Sequence, residues 1–223
     1  MIFSESDAAS VARALVEADA VRLAQGTPFF YTSGWASPVY VDVHALLAEP
    51  ARRRQLLDRM AEAVTPRVRE QGIGAVVGTE SSGIALAAWL AERLSLPLLT
   101  LRKRPIGWGV QAQLQGRLAP GCRTLLVDDV STDGRSKNAA AAALRQTGAQ
   151  VDDVLVLFDY AIYPQVPPAS APVALHALAS WRHLHAALQQ AGRLDDDALK
   201  MLAEFSASPI DWSVAHGGTG VVA

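Results

Sequence analysis

Two adjacent carboxylates, Asp128 and Asp129, stand between a short apolar run and a loop of hydroxyl, glycine and charged residues: T-L-L-V-D-D-V-S-T-D-G-R-S over 124–136. Leu125-Leu126-Val127 is too short for a helix and reads as a buried strand. Lys137 to Gln146, closed by Gly148, reads as a helix. A loop that opens into a helix presents unpaired backbone N–H groups and the positive end of the helix dipole, which together suit a phosphate. Gly134 lets the backbone turn tightly beside a ligand, and Thr132 and Ser136 add hydroxyl donors. The carboxylates repel that phosphate. They suit sugar hydroxyls as hydrogen-bond acceptors, or Mg²⁺ held directly or through water. A sugar phosphate with its phosphate in the loop and its hydroxyls at the carboxylates satisfies the whole segment. The plain alternative is a strand-to-helix turn whose Asp, Ser, Thr and Gly serve turn and capping roles alone. The acidic pair and the loop, in order behind one apolar strand, favour the site.

Two other stretches bear on the same chemistry. Arg102, Lys103 and Arg104 leave a strand together and open a run to Gly116 in which Gly107 and Gly109 flank Trp108. Three cations suit a pyrophosphate, and a loop this long in a compact domain reads as a functional lid; a basic surface loop or β-hairpin arm is the alternative. Thr79-Glu80-Ser81-Ser82-Gly83 follows a short strand and precedes a helix, a second position for an anion, with a plain connection as the default. The five histidines are scattered without acidic partners at metal-ligand spacing, and no G-x-S-x-G or Walker A sequence is present.

The elements that must position these residues follow from pattern. Ser6 to Leu23 reads as an amphipathic helix capped by Ser4 or Ser6, and Phe29 to Val43 as a hairpin or hooked segment turning at Ser33-Gly34. A helix runs from Pro50 to about Val64, with Arg52, Arg53 and Arg54 on a solvated surface. Gly74 to Gly78, a helix from Ile84 to Leu94 and Pro97 to Leu101 form a β-α-β unit, which implies a parallel sheet. Further strands are expected at Val151 to Phe158 and Val173 to Leu178, and helices at Ser180 to Ala191 and Asp195 to Phe205. The tail from Ile210 to Ala223 is expected to be loosely ordered.

Composition bounds the rest. At 223 residues, half of them hydrophobic, the chain forms one substantial compact domain. It divides into an N-terminal helix and hood segment (1–45), an α/β core (46–190) and a C-terminal helix and tail (191–223). A net charge of −2 argues against nucleic acid as a partner. One cysteine, Cys122, excludes an internal disulfide and points to a reducing compartment, the cytoplasm. No secretory leader is recognisable, and the uncharged run Tyr160 to Trp181 contains four prolines, so no membrane partner is expected.

The 124–136 segment resembles the signature by which phosphoribosyltransferases of the type I fold bind PRPP (5-phosphoribosyl 1-diphosphate). Taken in order, the pieces from about Ser6 to Gln189 resemble the orotate phosphoribosyltransferase family. F-x-x-x-S-G-x-x-S-P-x-Y (Phe29 through Tyr40) is similar to its hood, V-G-T-E-S-S-G-I to its V-G-P-E-T-G-G-I loop, and Arg102-Lys103 to the R-K pair of its catalytic loop. L-H-A-L-A-S-W, around His176, is similar to its penultimate strand and helix.

The resemblance implies an α/β fold with a central, mostly parallel sheet flanked by helices and a small N-terminal hood. It implies an enzyme of pyrimidine biosynthesis that joins the ribose 5-phosphate of PRPP to orotate and releases diphosphate. It assigns Asp128, Asp129 and Lys103 to catalysis, and Arg102, Lys103, Arg104, Val130, Ser131, Thr132, Asp133, Gly134, Arg135 and Ser136 to PRPP. Thr32, Tyr40, Val41, Thr132 and Tyr160 fall to the acceptor base, and Asp128 and Asp129 to Mg²⁺. It also implies a homodimer.

The acceptor side departs from the family pattern. The loop R-K-x-x-K-x-H-G has Ile106 and Trp108 at its lysine and histidine, Thr32 replaces a hood lysine, and Tyr160 stands where an arginine holds the orotate carboxylate. Three readings therefore stay open: transfer to orotate through altered contacts, transfer to a less anionic base stacked on Tyr160, Trp108 or Trp35, and a PRPP- or nucleotide-binding regulator with little catalysis.

Overall fold

A computed structural model describes residues 2–106, 113–168, 171–192 and 194–220. The centre is a six-stranded sheet in the order β10-β9-β8-β5-β6-β7. Its strands are β5 (Ile73–Thr79), β6 (Leu98–Leu101), β7 (Leu114–Gln115), β8 (Arg123–Ser131), β9 (Gln150–Asp159) and β10 (Ala174–Ser180). All neighbours are parallel except β7, which runs antiparallel to β6. The central strands β5, β8 and β9 carry near-continuous apolar runs because both of their faces are covered. On β8, Leu125 and Val127 join one core cluster and Leu126 the other; on β9, Leu155 and Leu157 oppose Val154 and Val156. That is the two-residue alternation of a strand, here apolar on both sides.

The larger cluster holds residues of α1 (Glu5–Glu17), α3 (Pro50–Gln71), α4 (Ser82–Leu94) and α6 (Trp181–Ala191). The smaller one holds Ala141 and Leu144 of α5 (Arg135–Gln146). From β5 the chain crosses through α4 to β6 on one side; β8 then returns to the other side of β5 and is followed by β9 and β10. The direction of winding reverses between β5 and β8, and such a reversal opens a crevice at the carboxyl ends of the strands.

Four segments differ from the sequence reading. The first helix ends at Glu17; Asp19 turns the chain at φ 54°, and Val21–Leu23 becomes β1, antiparallel to β4 (Val39–Val41). The V-x-L pattern suits a strand as well as a helix, and the turn at Asp19 decides it. The third helix runs through Pro66 to Gln71 and ends on Gly72 at φ 66°. Pro66 lies on its exposed side, where a missing N–H is made up by water. The Arg102–Gly116 stretch follows β6 and returns as β7, antiparallel to it, so its base is a hairpin; residues 107–112, including Trp108, lie outside the described residues.

The tail is not loose as far as Gly220. After α7 (Asp196–Ala207), Pro209–Ala215 forms α8, whose Ser213 hydroxyl accepts from Ala36 N–H at 3.0 Å, while Thr219 N–H donates to Gly34 at 2.9 Å. These contacts brace the hood hairpin, β2 (Phe29–Phe30) with β3 (Ala36–Ser37).

Candidate active site

At the β5/β8 reversal two cavities of about 470 and about 360 Å³ share Thr32, Glu80, Lys103, Asp128, Thr132 and Ser136 in their walls, so they adjoin. The larger part is bounded by the turn after β8, with Asp133 and Arg135, and by Arg102. The smaller is bounded by the acidic pair and, across from it, by Tyr31, Tyr40, Val41 and His44 of the hood side. Two glycines let this space form. A Cβ on Gly83 would meet Val127 O at 2.5 Å, so only glycine lets α4 start against β8. Gly134 caps α5 at φ 76°, a left-handed conformation that glycine adopts without cost.

The turn is held by its own side chains. Asp133 is buried and accepts from Trp35 Nε1 at 3.1 Å and from Arg135 N–H at 3.1 Å. Ser33 and Thr132 hydroxyls lie 3.4 Å apart. Arg135 lies 3.7 Å from Asp133, and among the described residues its Nε and one Nη are buried with no hydrogen-bond partner. Buried guanidinium nitrogens without acceptors are costly, and an anion in the turn would satisfy them.

The acidic pair belongs to β8 itself. Asp128 Oδ1 accepts from Asp129 N–H at 3.0 Å, and Asp129 Oδ1 from Val130 N–H at 2.7 Å. Lys137 Nζ lies 2.6 Å from Asp128 Oδ2, and His44 Nε2 3.5 Å from Asp129 Oδ2. Burial, then the neighbouring Asp128 carboxylate, hold Asp129 above the usual carboxylate range, against the Val130 N–H and the Lys137 charge. Burial also pushes Asp159, at the end of β9, up to about 6.

Among the described residues no three His, Cys, Asp or Glu side chains converge as a metal cage. Two adjacent carboxylates fit Mg²⁺ as an ion that keeps waters and takes other oxygens from a substrate phosphate.

Of the residues expected to hold PRPP, Arg102, Lys103, Val130, Thr132, Asp133, Arg135 and Ser136 line the adjoining cavities. Ser131 is buried, with its carbonyl accepting from Tyr160 N–H, and Gly134 acts through the backbone. Arg104 lines neither part. Thr32, Tyr40, Val41, Thr132 and Tyr160, expected for the acceptor, come together in the smaller part. Tyr160 is only 1 % exposed, hydrogen-bonds to the Tyr31 hydroxyl and accepts from Val41 N–H, so it anchors the hood. Trp35 is 0 % exposed and offers no stacking face.

Lys137, His44 and the Trp35–Asp133 bond escape a reading by motif. A lysine in the first turn of a helix opposes the dipole there, and that was the signal for a buried partner.

Comparison with known proteins places this geometry. No protein-family model matches the chain. It is 35% identical over 215 residues to the orotate phosphoribosyltransferase of Rhizobium rhizogenes, covering 96% of this chain and 93% of that one. The Aeropyrum pernix orotate phosphoribosyltransferase structure superposes with a TM-score of 0.64 at 31% identity, over 83% of this chain and 99% of that one. The Leishmania donovani UMP synthase structure superposes with a TM-score of 0.71 at 21% identity, over 90% of this chain and 42% of that one, a likeness of fold alone.

Proposed function

The chain belongs to the orotate phosphoribosyltransferase family, and from that membership we propose that it transfers the ribose 5-phosphate of PRPP to orotate, giving orotidine 5′-monophosphate and diphosphate. One observation carries the reading: adjoining cavities bring a turn whose Arg135 nitrogens lack hydrogen-bond acceptors beside an acidic pair and a hood-side chamber. The 5-phosphate sits in the 131–136 turn on backbone N–H groups and Arg135, with Thr132 and Ser136 as hydroxyl donors. Ribose hydroxyls meet the acidic pair. Diphosphate lies toward Arg102 and Lys103.

A ring nitrogen of the base bonds to the anomeric carbon as the carbon–oxygen bond to diphosphate breaks; the electron pair leaves with diphosphate and the ring N–H proton is released to water. The protein contributes fixed charges aimed at the departing oxygens. Mg²⁺ would be held at the acidic pair, by Asp128 and Asp129 directly or through water, and would supply positive charge to neutralise the leaving group. Thr32, Tyr40, Val41 and Thr132 frame the acceptor, with Tyr160 behind them. Residues 1–45 serve as hood and 46–190 as the PRPP-binding core. A homodimer follows from the family, and the single Cys122 suits the cytoplasm.

Thr32 and Tyr160, at positions where the resemblance expects cations, favour a second reading: the same transfer to a base without a carboxylate. Loss of orotate absorbance on mixing protein, Mg²⁺, PRPP and orotate tests the first. Turnover with uracil and none with orotate selects the second. PRPP heat in calorimetry with no turnover on any base leaves only a binding role.

A further inference from the structure

Lys137 is a cation in the wrong place for its helix. It occupies the first turn of α5, where the dipole disfavours positive charge, and that turn has no acidic residue. Its side chain is nevertheless buried, 6 % exposed, and so is its partner Asp128 at 13 %. Nζ meets Asp128 Oδ2 at 2.6 Å and Ser136 Oγ at 3.1 Å. With Oδ1 already accepting from Asp129 N–H, both Asp128 oxygens are engaged. Asp129 differs: among the described residues its Oδ2 has one ion-pair partner, His44 at 3.5 Å. The two carboxylates look alike in sequence and are unlike in the fold.

We propose that Lys137 is a built-in counter-cation of the acidic pair. It holds Asp128 as half of an ion pair, halves the charge the pair presents, and leaves Asp129 as the carboxylate free for a divalent ion or a sugar hydroxyl. Lys137 is thus a positioning residue that weakens the pair's own hold on a divalent cation. The part this plays in catalysis rests on the transferase reading above; the ion pair and its effect on metal affinity do not.

The test is a titration of the full chain with Mn²⁺ alone, following the electron paramagnetic resonance signal of free Mn²⁺. Lys137→Met binds at least tenfold more tightly than the unsubstituted protein, and Lys137→Arg binds like it. Adding Asp128→Asn to Lys137→Met abolishes the gain. Lys137→Gln keeps a donor for Asp128 without the charge; it shows the same gain and serves if the methionine variant fails to fold. No gain in either folded variant, or a gain that survives Asp128→Asn, overturns the proposal. Orotidine 5′-monophosphate formation by the unsubstituted protein is measured separately. Its absence removes the transferase reading and leaves the Mn²⁺ result standing.

Discussion

The turn after β8 and the hairpin arm after β6 leave one sheet edge on either side of β5, and each carries charged groups to the same space. Their charges are held in opposite ways. In the turn and the helix behind it, Asp133 is met by Trp35 and the Arg135 N–H, and Lys137 by Asp128. In the arm, Arg102, Lys103 and Arg104 form no ion pair among the described residues, and Ile106 is 63 % exposed. The turn is set before a ligand arrives, so its interactions should appear in ground-state affinity. The arm has charge but no internal counter-charge, so its interactions should strengthen as negative charge develops on a leaving group.

The sharpest way to break this contrast is kinetic. Arg102→Ala with Lys103→Ala is expected to lower kcat by about 10²–10³-fold, the scale of lost transition-state donors, with a smaller change in PRPP affinity. An unchanged kcat with a raised Kd would make the arm an ordinary binding surface. Next in size, Arg135→Ala should raise the Kd for PRPP by roughly tenfold or more, since a hydrogen bond to a charged group is worth about 1.5–3 kcal/mol. Its kcat should hold at saturating PRPP, and calorimetry beside steady-state kinetics separates the two.

The smallest effect concerns Asp159, the carboxylate beside the turn, which forms no ion pair among the described residues. Its folded value of about 6 lies above the usual 3.8. A raised carboxyl contributes stability that is full below about pH 4 and lost as pH rises through about 6. Asp159→Asn should therefore be more stable than the unsubstituted protein at pH 7, by about 1–3 kcal/mol, with the difference shrinking toward pH 4. Urea unfolding at pH 4, 5, 6 and 7 reads this directly; a difference constant across pH would show that burial does not govern Asp159.

The same contrast explains what was legible in the sequence. An apolar run bounded by turn signals, as at Leu125 to Val127, marks a core strand, and a glycine-bearing turn between strand and helix marks a candidate anion site. Local pattern therefore found the sheet, the acidic pair and the turn. It missed Lys137 because ion pairing over nine positions depends on how α5 folds back on β8. It missed the Trp35–Asp133 bond because that contact spans 98 positions. Trp35 and Tyr160 read as stacking surface because aromatics near a pocket look available; only packing shows that both are consumed in holding the hood. The ordered tail was illegible for a similar reason: its glycines signal freedom, whereas Gly218 sits where a Cβ would come within 2.5 Å of Ala36 N.

That last contact ties together stretches far apart in the gene. Residues 29–37 form the hood hairpin, and residues 208–220 brace it through Ser213, Gly218 and Thr219. A change in either stretch therefore loads the other: a side chain at Gly218 would press on Ala36, and loss of the Ser213 hydroxyl would leave the Ala36 N–H without its acceptor.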